Sequence, residues 1–233
     1  MPFFYGFDST YFLVLIGVIL SLWASARVKS TYAKYSGERS LSGMTGAQAA
    51  QRILSMAGIY DVTVQHVAGN LTDHYDPRNK TLNLSDAVYS NASVAAVGVA
   101  AHECGHAIQH DRGYAALKFR SALAPVANIG ANISWPLILV GLLFGGSGTL
   151  IQLGIIMFSL AVAFQLVTLP VEFNASKRAM AMLEETGVLY ADELPKTRKV
   201  LNAAALTYVA AAASSILQLL RLVLLFGGNR RRD

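Results

Sequence analysis

Four stretches of the chain are almost continuously apolar: residues 11–26, 129–144, 150–169 and 203–226. A helix needs about 20 mostly apolar residues to cross a hydrocarbon core, so each predicts a membrane helix. The first extends back to Phe3 past Asp8, and the fourth carries Gln218 and Arg221 as its only strongly polar side chains. No basic region precedes the first run and no clean A-x-A exit follows it, so it reads as a retained anchor rather than a cleaved signal peptide. Between the runs the pattern changes. Thr45 followed by Gln48 predicts a capping box, Ala50, Ile53, Leu54 and Ala57 recur at helical spacing, and Gly58 suits the stop. Val62, Val64 and Val67 alternate with polar residues as a short strand does, Asp76-Pro77-Arg78-Asn79 signals a turn, and residues 81–84 read as a second strand.

Composition narrows the class. Of 233 residues, 54% are hydrophobic and 14% charged, with a mean hydropathy of +0.42. A soluble domain carries about 25% charged residues, so a purely soluble chain is excluded, as is disorder. Cys104 is the single cysteine, which rules out an intrachain disulfide. The net charge of +5 would suit nucleic acid, but the positions of the cations argue otherwise. Of 19 Lys and Arg, none precedes the first apolar run and none falls in the Gly145 to Gly148 turn; ten lie within residues 27–120 and five within 177–199. Basic residues stay on the cytoplasmic side, so the charge is chiefly a topology signal and no nucleic-acid partner is expected.

The predicted organisation is mainly α and integral to a membrane. It has an N-terminal transmembrane anchor at 1–26, a cytoplasmic segment at 27–125, a transmembrane hairpin at 126–169, a second cytoplasmic segment at 170–202, and a hydrophobic helix with a basic tail at 203–233. The fourth run either crosses the membrane, which places Arg230, Arg231 and Arg232 outside, or is buried against the other spans, or does not fully cross.

The chemistry lies in the polar stretches. His102, Glu103 and His106 form H-E-x-x-H in a helix-compatible run. Spacing of i and i+4 puts both imidazoles on one helical face, where they can grip one Zn²⁺, and Glu103 beside them can take a proton from water and pass it to a leaving amine. Burying two His and a Glu together without a metal or partners is expensive. His110 sits about 12 Å along the helix from His102, too far to share that metal. Cys104 points at the wrong angle and reads as a buried thiol. Asp111-Arg112-Gly113-Tyr114 replaces the downstream Gly and His of metzincins, so a third ligand must come from elsewhere. Glu172, just past the third run, is the carboxylate that the topology returns to the side of His102 and His106. A helix-start carboxylate facing the macrodipole is the plainer reading of it.

Four strings together resemble the YugP-type neutral zinc metallopeptidases of bacterial membranes. They are His-Glu-Cys-Gly-His-Ala-Ile-Gln-His from His102, Leu-Thr-Asp-His-Tyr-Asp-Pro from Leu71, Leu-Pro-Val-Glu-Phe-Asn-Ala-Ser from Leu169, and Ala-Ala-Leu-Thr-Tyr-Val-Ala-Ala from Ala204. The resemblance covers nearly the whole chain. It implies a gluzincin-like endopeptidase with a small zincin-like α+β catalytic domain split in sequence. His102, His106 and Glu172 would hold zinc and Glu103 would be the general base. Polypeptides, including membrane proteins, would be the substrates, at a site facing the cytoplasm of the bacterial inner membrane. A looser similarity to heat-shock and CAAX-processing membrane metalloproteases is broken at one place. Those carry an Asp four residues after the ligand Glu, where this chain has Ser176, with Asn174 at the second position. Residues 79–85 occupy the place of the zincin edge strand, although an ordinary sheet strand fits equally. Tyr208 or His74 could donate to an oxyanion.

Two other classes compete. A site-2-type intramembrane protease would bury H-E-x-x-H inside a span, but only about ten apolar residues precede His102, short of the ~20 needed. A metal-ion transporter would place ligands within paired spans, whereas the first three apolar runs contain no His, Asp or Glu. The topology is directly testable. In a Cys104→Ala background, Ser147→Cys should be labelled by a membrane-impermeant thiol reagent added to whole cells and Ser42→Cys should not. Efficient outside labelling at position 42 would reverse the orientation.

Overall fold

Side-chain caps mark where the polar stretches turn into helix. The computed structural model describes residues 8–227. In chain order its elements are α1 (Tyr11–Ser36), α2 (Gly46–Met56), β1 (Thr63–Val67), β2 (His74–Asp76), β3 (Thr81–Ser85), α3 (Val94–Asp111), α4 (Ala115–Leu143), α5 (Gly148–Thr186) and α6 (Leu194–Phe226). The capping box that starts α2 is present: the Gln48 amide donates to Thr45 Oγ1 at 3.3 Å and the Thr45 amide to Gln48 Oε1 at 3.0 Å. Ser93 caps α3, its Oγ accepting from the Ala96 amide at 3.2 Å. Phe3 and the arginines at 230–232 lie outside the described residues.

Among the described residues four helices, α1, α4, α5 and α6, are long and apolar enough to cross a membrane. At 1.5 Å per residue, the 26 residues of α1 reach about 39 Å, past a hydrocarbon core of about 30 Å. Only a minor share of each apolar stretch is buried within the chain. The reading of the fourth run as a helix buried against other spans therefore fails, because its large apolar side chains, Ile216, Leu220 and Leu224 among them, remain exposed. The third run and the Glu172 segment are one helix, for α5 continues through Pro170 without a break. Pro170 gives up one backbone donor, which a long helix tolerates at the cost of a local irregularity.

The chain divides into two compact units, each discontinuous in sequence. Of the described residues, one gathers those before Ala26, Phe119–Leu169 and residues 207–227. Within it small residues bring helices together: Ser214 Oγ donates to the Gly17 carbonyl at 2.8 Å and meets Ser21 Oγ at 3.0 Å, the kind of close polar contact by which helices associate without a hydrophobic driving force. The other unit comprises Ala26–Lys118 and Pro170–Leu206. Its core is formed by Ile53 and Leu54 of α2, Leu82 and Leu84 of β3, Val97, Ala101 and Cys104 of α3, and Leu183 of α5.

This second unit holds a three-stranded sheet in the order β1-β3-β2, with β1 parallel and β2 antiparallel to β3. The expectation of an edge strand at residues 79–85 is corrected, since β3 is the central strand and its neighbours are the edges. Leu82 and Leu84 fill one of its faces, and Asn83 and Ser85 on the other face are also buried. Strand β2 escaped the sequence reading because its three residues, His-Tyr-Asp, carry no apolar alternation.

The helix pair that matters most is α3 against α5. A Cβ added to Gly105 would overlap the backbone carbonyl of Ala175. Glycine here is a requirement of close approach, not of backbone conformation. We expect Gly105→Ala to cost about 1–3 kcal/mol of stability as an overpacked contact. Gly37→Ala, whose nearest neighbour would be 3.9 Å away, should leave stability unchanged. Chemical unfolding of the full chain in detergent measures both; equal stability of the two variants would contradict the close approach.

Candidate metal centre

Helix α3 has a divided surface. Residues such as Val97, Ala101 and Cys104 enter the core, while His102 and His106, one turn apart, turn towards α5. Across from them Glu172 and Ser176 are also one turn apart. Each helix therefore offers an i, i+4 pair to the other, across the contact that Gly105 and Ala175 allow.

One carboxylate oxygen is the meeting point. Glu172 Oε2 lies 3.2 Å from His102 Nε2 and 3.5 Å from His106 Nε2. Glu172 is 2% exposed, and both imidazoles are largely buried. The three ligand atoms lie within 4.8 Å of one another. Tetrahedral zinc with bonds of about 2.05 Å separates its ligand atoms by about 3.3 Å, which is the spacing of Glu172 Oε2 from both nitrogens. Two imidazoles and a carboxylate are also the donor types of a catalytic zinc that keeps a fourth position open. The residues fit the ion.

The other nitrogen of each ring is held. His102 Nδ1 is 3.1 Å from Ser176 Oγ, and His106 Nδ1 is 3.1 Å from Gln109 Oε1. Fully buried Gln109 is itself fixed, donating from Nε2 to the Val171 carbonyl at 2.8 Å and to Asn174 Oδ1 at 3.0 Å. Arg178 Nε donates to the same Asn174 oxygen at 2.8 Å. The chain Arg178–Asn174–Gln109–His106 thus orients one ring and Ser176 the other, leaving both Nε2 atoms on the Glu172 side. Such partners fix the tautomer and aim of a metal-binding histidine. The position left without a role at Ser176 is filled by a hydroxyl instead of an Asp. Gln109 was missed by the sequence reading, although its place three residues after His106 on one helix was a legible signal.

Electrostatics follow from burial and charge. Burial alone pushes His106 towards its neutral form, but the hydrogen bond to Glu172 and the charges of Glu103 and Glu172 outweigh it and hold its pKa above the ordinary histidine value. Glu103 is 8% exposed, and among the described residues no group hydrogen-bonds to it. Burial, and secondarily the charge of Glu103, pushes the Cys104 thiol well above its usual range, so it stays neutral in the core with Sγ 3.7 Å from the Ala50 carbonyl. His110 pairs with the Tyr75 hydroxyl of β2 at 2.8 Å. Burial, ahead of the charges of Asp61, Asp76 and Asp111, pushes Tyr75 up to about 12, so that hydroxyl keeps its proton. His74 is occupied locally, with Nδ1 against the Thr72 carbonyl at 2.8 Å and Nε2 near Asn83 at 3.2 Å. Tyr208 belongs to the other unit.

The metal-holding set has a graded expectation. Glu172→Ala and His106→Ala should lose most bound zinc, and Ser176→Ala and Gln109→Leu should weaken it about 10–100-fold. Glu184→Ala and Glu185→Ala, exposed farther along α5, should keep it. Zinc content of the purified variants decides; full zinc in Glu172→Ala with loss in Glu184→Ala would mean another carboxylate serves.

The comparisons agree with this chemistry. A family described as "putative neutral zinc metallopeptidase" matches residues 10–227. The chain is 49% identical over 219 residues to a protein of Bacillus subtilis (strain 168) described as "putative membrane protease YugP", covering 94% of this chain and 97% of that one. No solved structure matches.

Proposed function

The chain belongs to the neutral zinc metallopeptidase family, and from that premise we propose that it is a zinc-dependent endopeptidase of the gluzincin type, cutting polypeptides at a site on the cytoplasmic side of the bacterial inner membrane. The observation that carries this reading is the single Glu172 oxygen set between two imidazoles whose outer nitrogens are already engaged. In this reading the unit of Ala26–Lys118 and Pro170–Leu206 is a zincin-like catalytic domain split by the hairpin of α4 and α5.

His102, His106 and Glu172 would hold the metal. Bound zinc supplies Lewis acidity, polarising a peptide carbonyl and acidifying water. The residues do the rest. Glu103 adjoins His102 on α3, is buried, and has no hydrogen-bond partner among the described residues, so its carboxylate is free to take a proton from the attacking water and deliver it to the leaving nitrogen. Ser176 and Gln109 keep the two rings from rotating as charge builds up. An extended substrate would pair with the open side of β2, an edge strand linked to α3 through Tyr75 and His110.

A site inside a span finds no support, since α3 is not one of the four helices long and apolar enough to cross. Polypeptides at the bilayer, membrane proteins among them, are the substrate class that this placement favours.

Glu103→Gln separates binding from chemistry. We expect the purified variant to retain zinc and to lose cleavage of an unfolded protein or a quenched fluorescent peptide by 10²-fold or more, the span expected of a general base. Near-normal turnover by Glu103→Gln would remove Glu103 from the mechanism.

A further inference from the structure

Away from the metal centre, within the same unit, α1 and α6 enclose an open cavity of about 490 Å³. Its lining carries three cations, Arg27, Lys34 and Lys199, with neutral Thr31 and Asn202 between them and apolar Leu206 at one end. No carboxylate lines it. Arg27, Thr31 and Lys34 are spaced i, i+4, i+7 on α1, and Lys199, Asn202 and Leu206 i, i+3, i+7 on α6, so each helix turns one face to the cavity.

Some cations elsewhere in this unit meet carboxylates. Lys196, one turn before Lys199, is 2.7 Å from Glu38, and Lys80 pairs with Asp61. Arg27, Lys34 and Lys199 form no ion pair among the described residues. Three like charges around one concavity repel each other unless an anion joins them.

Position along the helices narrows the anion. Arg27 is the first cation after the apolar run of α1, and Leu206 adjoins Thr207, where α6 passes into the other compact unit. Lys34 is two turns beyond Arg27, and Lys199 two turns before Leu206, each about 10 Å. Headgroups occupy the ~5–8 Å outside each face of the hydrocarbon core. The cavity thus joins an apolar end to a cationic end over the dimensions of a lipid headgroup, with Arg27 able to grip phosphate by two parallel hydrogen bonds. Basic recesses between membrane helices are known receptors for acidic headgroups.

We propose that this cavity binds the phosphodiester headgroup of an anionic membrane phospholipid, held by Arg27, Lys34 and Lys199 with Thr31 and Asn202 as hydrogen-bonding partners. The inference depends on the membrane location of the chain and not on the peptidase reading.

The test is native mass spectrometry of the full chain in neutral detergent, titrated with phosphatidylglycerol or phosphatidylcholine. The parent should retain phosphatidylglycerol in preference to phosphatidylcholine. Each cation near an acidic headgroup contributes about 5-fold, so R27Q/K34Q/K199Q should lose that preference by roughly 100-fold. K29Q/R198Q, which removes cations of the same helices outside the cavity, should behave as the parent. A size-exclusion profile and a thermal unfolding midpoint in detergent equal to the parent's establish that the triple variant is folded. An undiminished preference in the folded triple variant, or none in the parent, overturns the proposal. Displacement of the lipid by millimolar inorganic phosphate also overturns it, by making free phosphate the ligand.

Discussion

A single buried carboxylate oxygen holds the centre of this protein together. Glu172 Oε2 touches His102, 70 residues away in sequence, and His106 as well, and Glu172 is 2% exposed. An ionised carboxylate in such a place is costly unless its charge is met. The two imidazoles meet it, and the Glu172 charge in turn raises the basicity of His106. Everything nearby serves that contact. Gly105 lets the helices approach, Ser176 and Gln109 orient the rings, and the packed sheet and α2 fix α3 from behind.

The support on the two rings is unequal. His102 leans on one hydroxyl, while His106 is braced through Gln109, Asn174 and Arg178 to the backbone of Val171. All of these partners except Gln109 sit on α5, the helix that also carries Glu172. One helix thus supplies both the candidate carboxylate ligand and most of the groups that aim the two imidazoles. Displacing it would disturb every member of the centre at once.

Much of this was legible in the chain, for identifiable reasons. Apolar run length marked the four membrane-crossing candidates, and the i, i+4 spacing of His102 and His106 needs only helical geometry. The Thr45–Gln48 box works locally, so it could be read without knowing the fold. What depends on distant partners could not be read. Strand β2 exists because β3 is there to pair with it, and β3 is central only because β2 exists. Ser176 gains its role from the His102 ring opposite, and Gln109 gains its own from Asn174 and Val171. The relation of Glu172 to the histidines lay between these extremes, since a topology argument brought it to the same side as the histidines without placing it.

The continuity of α5 has a consequence for how the molecule comes into being. The histidine pair leaves the ribosome first, and the carboxylate follows 70 residues after His102, at about 5–20 residues per second a delay of roughly 4–14 s. In that interval the two apolar segments of α4 and α5 must be synthesised, and the second of them is the same rod that ends in Glu172. Until the hairpin has emerged, the nascent chain carries the histidine pair without the carboxylate that meets it. The three groups that can share one ion are therefore complete in the chain only after both apolar segments of the hairpin have been made.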